Sequence, residues 1–153
     1  MKTLILYLSV HHGNTKKIAD ALAKILHAKV AKPNAIKTLA SYDIIGFGSG
    51  IYFWRHHPSL LKYIDSLPQQ KNKKAFVFST AGIKAYRCTL MHHALKKRLV
   101  RKGFTIVGEF ACVGFDTYGL LKICGGLNKG RPNQQDIEHA QEFARDLQKK
   151  LQA

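Results

Sequence analysis

The sequence predicts an α/β fold, a doubly wound five-stranded parallel sheet of strand order 2-1-3-4-5, formed by one domain over 1–153. Three observations predict it. Short apolar runs alternate with amphipathic stretches along the whole chain, as when helices cover both faces of a parallel sheet. The first run, Thr3–Leu8, is almost continuous Leu, Ile and Tyr, which suits a strand buried on both faces. A chain of 153 residues is long enough for one core and too short for two, and no repeat or linker divides it.

Thr3–Leu8 reads as strand one. Its apolar run is short and lacks a small-x-small cleavage site, so it is expected to be a strand and not a signal peptide. A glycine-containing turn leads to a helix over Thr15–Leu26, with Ile18, Leu22, Ile25 and Leu26 at helical spacing. Ala28–Ala31 is a weak second strand and Asp43–Gly48 a stronger third. Pro58 opens a helix that runs to Leu67 and is ended by Pro68. After the polar loop Gln69–Lys74 comes strand four, Ala75–Ser79. A basic helix over Cys88–Lys102 stops at Gly103, a residue suited to the left-handed C-terminal cap. Phe104–Val113 is strand five. The connection Gly114–Pro132 then leads to a last helix with Asn133 as N-cap. Its apolar stripe is Ile137, Ala140, Ala144, Leu147 and Leu151.

Composition narrows the function. There is no apolar stretch of membrane-spanning length. Cys88, Cys112 and Cys124 form no C-x-x-C pair, which disfavours a zinc ribbon or dithiol site and suits free thiols in a reducing cytoplasm. Lysine and arginine total 25 against 9 acidic residues, a formal charge of +16. Between Ile44 and Gly108 the only acid is Asp65. Such a surface serves solubility alone or an anionic partner: an acidic protein, an anionic membrane or a nucleic acid. The helix bearing Lys96, Lys97, Arg98, Arg101 and Lys102 lacks the interleaved aromatics of a nucleic-acid platform, so that partner is not expected.

Sheets of this kind bind ligands at the carboxyl ends of their strands, beside the switch in strand order. After strand one, Ser9-Val10-His11-His12-Gly13-Asn14-Thr15 runs directly into a helix. Hydroxyls, an amide, a glycine and a helix N-terminus suit a phosphate. Simple capping by Asn14 or Thr15 remains the plainer alternative. After strand three, Ser49-Gly50-Ile51-Tyr52-Phe53-Trp54 puts three aromatics at the ligand edge, to stack on a flat ring or to cover the core. After strand four, Ser79-Thr80-Ala81-Gly82 offers small side chains and backbone donors. Asp116 and Tyr118 follow strand five. A receiver domain would need acids where Leu8-Ser9 and Gly48-Ser49 stand, and neither a G-x-G-x-x-G fingerprint nor a P-loop is present.

Taken in order, these loops resemble those of the flavodoxins. Gly13-Asn14-Thr15 looks like their phosphate loop, and Gly50–Trp54 and Ser79–Gly82 resemble the two loops that enclose the isoalloxazine ring. The resemblance implies that FMN is the cofactor, that Ser9, His11, His12, Gly13, Asn14 and Thr15 hold its phosphate, and that Tyr52 or Trp54 stacks on the ring. It further implies an electron carrier with a redox partner protein; the basic surface of this chain suits an acidic one.

Two features depart from the pattern: His11-His12 replace the usual hydroxyl residues, and the chain is basic where flavodoxins are acidic. Ile51-x-x-x-x-His56 and Lys122-Ile123-x-Gly125-Gly126 are similar to flavodoxin-like protoporphyrinogen oxidases, which implies quinone and a membrane surface as alternative partners. His11-His12, His56-His57 and His92-His93 lack a neighbouring ligand at metal-binding spacing, so no metal site is expected. No dedicated acid–base constellation is evident in the sequence.

Overall fold

The computed structural model describes residues 1–10, 12–82, 89–117 and 119–152. Its strands are β1 (Thr3–Leu8), β2 (Lys29–Ala31), β3 (Ile44–Tyr52), β4 (Arg55–His56), β5 (Lys73–Ala81) and β6 (Phe104–Val113). Its α-helices are α1 (Asn14–Leu26), α2 (Pro58–Ser66), α3 (His93–Arg101) and α4 (Gln134–Gln152). Five strands are parallel in the order β2-β1-β3-β5-β6. This is the predicted 2-1-3-4-5 arrangement with one addition. The two-residue β4 folds back antiparallel on the end of β3, pairing Ile51 with His56 and Tyr52 with Arg55.

Alternation along each strand divides the apolar residues between two cores. Leu4 and Leu6 of β1 join Ile45, Phe47, Ala75 and Val77, covered by Leu60 and Ile64 of α2 and Leu95 and Leu99 of α3. Ile5 and Tyr7 face the opposite core, where Phe76 and Phe78 meet Ile18 and Leu22 of α1 and Ala140, Ala144 and Leu147 of α4. Ile137 and Leu151 of the predicted α4 stripe pack against that second core while only half-buried.

β3 is longer than predicted, and its glycines explain why. Gly46, Gly48 and Gly50 recur every second residue, so all three lie on one face of the strand. A Cβ on Gly46 would lie 2.6 Å from Phe76 Cε2, and one on Gly48 2.5 Å from Phe78 Cδ2. These glycines make room for rings from β5; they do not end the strand. Ser49–Tyr52, expected in a loop, are therefore strand residues, as are Thr80 and Ala81, which extend β5 beyond the predicted end at Ser79. Lys73 and Lys74, also expected in a loop, pair with Phe104 and Thr105 of β6. In β6 the register shifts between the partners of Ala75 and Phe76, leaving Val107 as a bulged residue.

The remaining boundaries follow local chemistry. α3 begins at His93, later than the expected Cys88, which lies outside the described residues. It ends with Lys102 as C-cap and Gly103 at φ +87°, the left-handed position glycine favours. Three of the basic side chains here have internal partners: Lys96 on Glu109, Arg98 on Asp65 and Lys102 on the Leu67 carbonyl. At the start of α4, Asp136 N–H donates to Asn133 Oδ1 at 3.1 Å while Asn133 N–H donates to Asp136 Oδ2 at 2.8 Å. This is a reciprocal capping box. The Arg131 guanidinium adds a two-pronged ion pair to the buried Asp136 carboxylate, with Nη2 2.6 Å from Oδ1. No helix among the described residues is long and apolar enough to cross a membrane.

A candidate flavin site at the carboxyl edge of the sheet

The carboxyl ends of β1, β3, β5 and β6 surround a cavity of about 410 Å³. At its β1 side the chain enters α1 through two left-handed residues, His12 at φ 54° and Gly13 at φ 66°. Gly13 is the N-cap, so no side chain caps the helix, and the first turn holds no acidic residue. Among the described residues, the leading N–H groups therefore receive no side-chain cap, and the positive end of the helix dipole meets no acid in its own first turn. A Cβ on Gly13 would meet nothing within 4 Å, so the approach there is open.

Asn14 and Thr15 line the cavity and are tied to the opposite wall. Asn14 Nδ2 donates to the Phe115 carbonyl at 2.8 Å, and Thr15 Oγ1 lies 2.9 Å from Thr80 Oγ1 on β5. Gly114 makes the first contact feasible, since a Cβ there would come within 2.8 Å of Asn14 Nδ2. Two buried polar atoms of this loop, Ser9 Oγ and Asn14 Oδ1, have no partner among the described residues. Burying such groups unpaired costs about 1–3 kcal/mol each, so these two atoms are hydrogen-bonding positions of the loop left open among the described residues. His12, expected at the phosphate, places Nε2 2.8 Å from Thr117 Oγ1, with its ring 4.4 Å from that of Phe115. His11 and Tyr118 lie outside the described residues.

The second wall is Gly50–Trp54. Tyr52 folds over Gly50, where a Cβ would lie 2.9 Å from the phenol ring, and meets the His57 ring edge-on at 5.2 Å. Burial, with the Asp116 carboxylate adding to it, pushes the Tyr52 hydroxyl above its ordinary range. Phe53 and Trp54 form the exposed turn between β3 and β4, 75% and 69% accessible, with left-handed φ of 47° and 67°. Such backbone is costly for large residues, and large exposed rings are unusual in a loop that lines a cavity. The third wall is Thr80, Ala81 and Gly82, with Asp116 packed so closely on Gly82 that a Cβ there would fall 2.5 Å from Oδ2. Val10 and Met91 also line the cavity, and neither is apparent as a site residue from sequence.

Ser49 and Ser79, both predicted site residues, lie behind this wall and not on it. They are register partners on β3 and β5 and are fully buried. Ser79 Oγ is 2.8 Å from His92 Nε2, and His92 Nδ1 is 3.1 Å from Glu109 Oε2, which also accepts from Lys96 Nζ at 2.9 Å. Ser49 Oγ is 2.8 Å from His56 Nδ1, and the two imidazoles stand 5.1 Å apart. Burial, and then the neighbouring His92, holds His56 well below the usual imidazole range. Burial also lowers His92, against the hydrogen bond and charge of Glu109. Burial alone would raise Glu109, but Lys96 and His92 outweigh it and hold the carboxyl low. A Ser–His–Glu series normally suggests hydrolysis, but a serine with no exposed surface cannot reach a substrate.

Comparison with known proteins agrees with this geometry. Residues 4–110 match the flavodoxin-domain family Flavodoxin_5. The chain is 48% identical over 151 residues to an uncharacterized protein of Methanocaldococcus jannaschii, covering 97% of this chain and 99% of that one. Among solved structures, it is similar to a flavodoxin from the domain Archaea, with a TM-score of 0.69 and 19% identity over 100% of both chains. It is similar also to oxidised flavodoxin 2 from Bacillus cereus, at TM-score 0.69 and 21% identity over 98% of this chain and 99% of that one. A parallel sheet in this order, an uncapped helix at its switch point and the match over 4–110 together make the chain a member of the flavodoxin-domain family.

Proposed function

We propose that the chain binds FMN at the carboxyl edge of its sheet and carries electrons between redox proteins. The observation that carries this reading is the pair of unpartnered buried atoms, Ser9 Oγ and Asn14 Oδ1, at the entrance to an uncapped helix. A hydroxyl and helix N–H groups suit a phosphate, while Asn14 Oδ1 is an acceptor suited to a ligand hydroxyl. The exposed Phe53 and Trp54 supply flat apolar surface for a ring, and Thr80–Gly82 line its far edge. Bound FMN supplies the one- and two-electron chemistry; the chain holds it, shields it and sets its electrostatic surroundings. A surface of +16 favours an acidic redox protein as partner, steered by long-range attraction that salt would screen.

The test is titration of the purified protein with FMN, following quenching of flavin and Trp54 fluorescence. Saturation at one equivalent, weakened at least tenfold by Asn14→Ala with Thr15→Val, is the expected result. No saturation at micromolar FMN refutes the cofactor. Saturation with rapid turnover of quinone, and no electron exchange with an acidic ferredoxin-type protein, refutes the carrier role while leaving the cofactor.

A further inference from the structure

The buried cluster behind the cavity wall is not needed to hold a phosphate or a ring, yet its hydrogen bonds constrain the protons that its members carry. Ser49 has one hydroxyl hydrogen, which it donates to the Gly50 carbonyl at 2.8 Å, and it accepts from His57 N–H at 3.1 Å. His56 Nδ1 must then carry a proton and donate to Ser49 Oγ, which leaves His56 Nε2 bare. That atom is buried and has no partner among the described residues. On the other ring, the Glu109 carboxylate can only accept, so His92 Nδ1 donates to it; with that ring neutral, His92 Nε2 accepts from the Ser79 hydroxyl. Both imidazoles are neutral in this arrangement.

The two rings differ in what a further proton would meet. On His56 Nε2 it would be buried without an acceptor. On His92 Nε2 it would face Ser79 Oγ, with Glu109 already on the opposite nitrogen. Glu109 is 36% exposed, so the cluster is open to solvent on that side. On its other side it backs directly onto the cavity: Gly50 accepts from Ser49, Thr80 follows Ser79, and Met91 precedes His92, and all three line the cavity.

We propose that the His92–Glu109 pair takes up one proton from solvent when FMN in the cavity gains negative charge on reduction. This rests on the FMN reading above. The electrons come from a one-electron donor protein, and the proton comes from hydronium in bulk water. One O–H bond of hydronium breaks, releasing water, and one N–H bond forms on His92 Nε2. The Ser79 hydroxyl turns from donor to acceptor toward His92 Nε2. Of the other charged and titratable groups on the packed elements, Lys96 on α3 opposes the uptake. Arg55 and His93 are exposed, His57 is half-buried on the chain leaving β4, and Asp65 on α2 is held by Arg98.

The test is ¹⁵N NMR of the histidine rings in the FMN-loaded protein, titrated with pH in the oxidised state and again after dithionite reduction. The expected result is that the His92 proton-binding midpoint rises by roughly one pH unit on reduction, the effect of a charge across a low-dielectric wall. His56 should remain neutral in both states. Glu109→Gln should lower the His92 midpoint in both states, whereas Lys96→Ala should move it upward in both. A His92 midpoint equal in the oxidised and reduced protein overturns the coupling, as does a midpoint that Glu109→Gln leaves unmoved. Failure of FMN to bind in the fluorescence titration overturns both readings; binding with an unmoved His92 overturns this one alone.

Discussion

Replacing Gly48 by alanine tests whether the glycines of β3 are spaces for rings. The new methyl carbon would sit 2.5 Å from Phe78 Cδ2, where carbons in contact normally stand about 3.5–4.0 Å apart. The ring or the strand must therefore move by roughly 1 Å, and Phe78 is fully buried, in an interior that proteins pack closely. Overpacking of this kind costs about 1–3 kcal/mol. The lower entropy of the unfolded alanine chain returns about 0.4–1 kcal/mol, for a net loss of about 1–2 kcal/mol. Urea unfolding reads this directly: with a slope of about 1–3 kcal/mol/M, the midpoint should fall by roughly 0.5–1 M at unchanged slope. Phe78→Leu in the Gly48→Ala background should recover part of the loss, with a favourable coupling of about 1 kcal/mol in the double-mutant cycle. A Gly48→Ala protein as stable as the parent, or the absence of any coupling to Phe78, would refute the packing account.

Other expectations concern the helix anchor, the buried imidazoles and the aromatic turn. Asp136→Asn keeps the shape of the α4 capping box but removes the charge that Arg131 grips, and should cost about 1.5–3 kcal/mol in the same urea assay. Imidazoles kept neutral by burial refuse a proton that the unfolded chain accepts below about pH 6.5. Their contribution is complete above that pH and is lost as pH falls, at about 1.4 kcal/mol per unit for each ring that stays neutral. His56→Gln should therefore flatten the decline in unfolding free energy between pH 7 and 5 by up to one ring's share; an unchanged slope would contradict a buried neutral His56. Phe53→Ala and Trp54→Ala should each weaken FMN binding about two- to tenfold, the scale of an aromatic contact of about 0.5–1.5 kcal/mol. Stability should be unaffected, because both rings are exposed.

The elements that could be read from sequence were those whose signal is local. The Asn133 cap, the bounds of β6 and the α1 stripe each depend on neighbours within a few positions, and they appear where expected. β3 was harder because Gly48-Ser49-Gly50 has the composition of a turn. Its alternate glycines signal one strand face, but only the rings of β5, some thirty residues later, give that face its use. The segment after β1 was legible as a loop entering a helix. That its cap is Gly13, with Asn14 spanning to Phe115, depends on a connection a hundred residues away. The His56–His92 cluster was illegible for the same reason. Paired histidines suggest a metal question, whereas Ser49 and Ser79 carried the useful hint. Each continues the inward series of its strand, Ile45-Phe47-Ser49 and Ala75-Val77-Ser79, and a hydroxyl at a core position requires a partner.

The bulge at Val107 bears on what this sheet does not do. β6 is an outer strand, and an outer strand with a regular row of free N–H and C=O groups invites pairing with another chain. Here the register is broken at Val107, and Lys150 of α4 donates to its carbonyl at 3.1 Å. The other rim, β2, is three residues long and carries the exposed Lys29. Both margins of the sheet are thus closed to strand addition, one by length and charge, the other by an irregular backbone under an ammonium group. Edges of this kind oppose pairing with the sheet of a second copy.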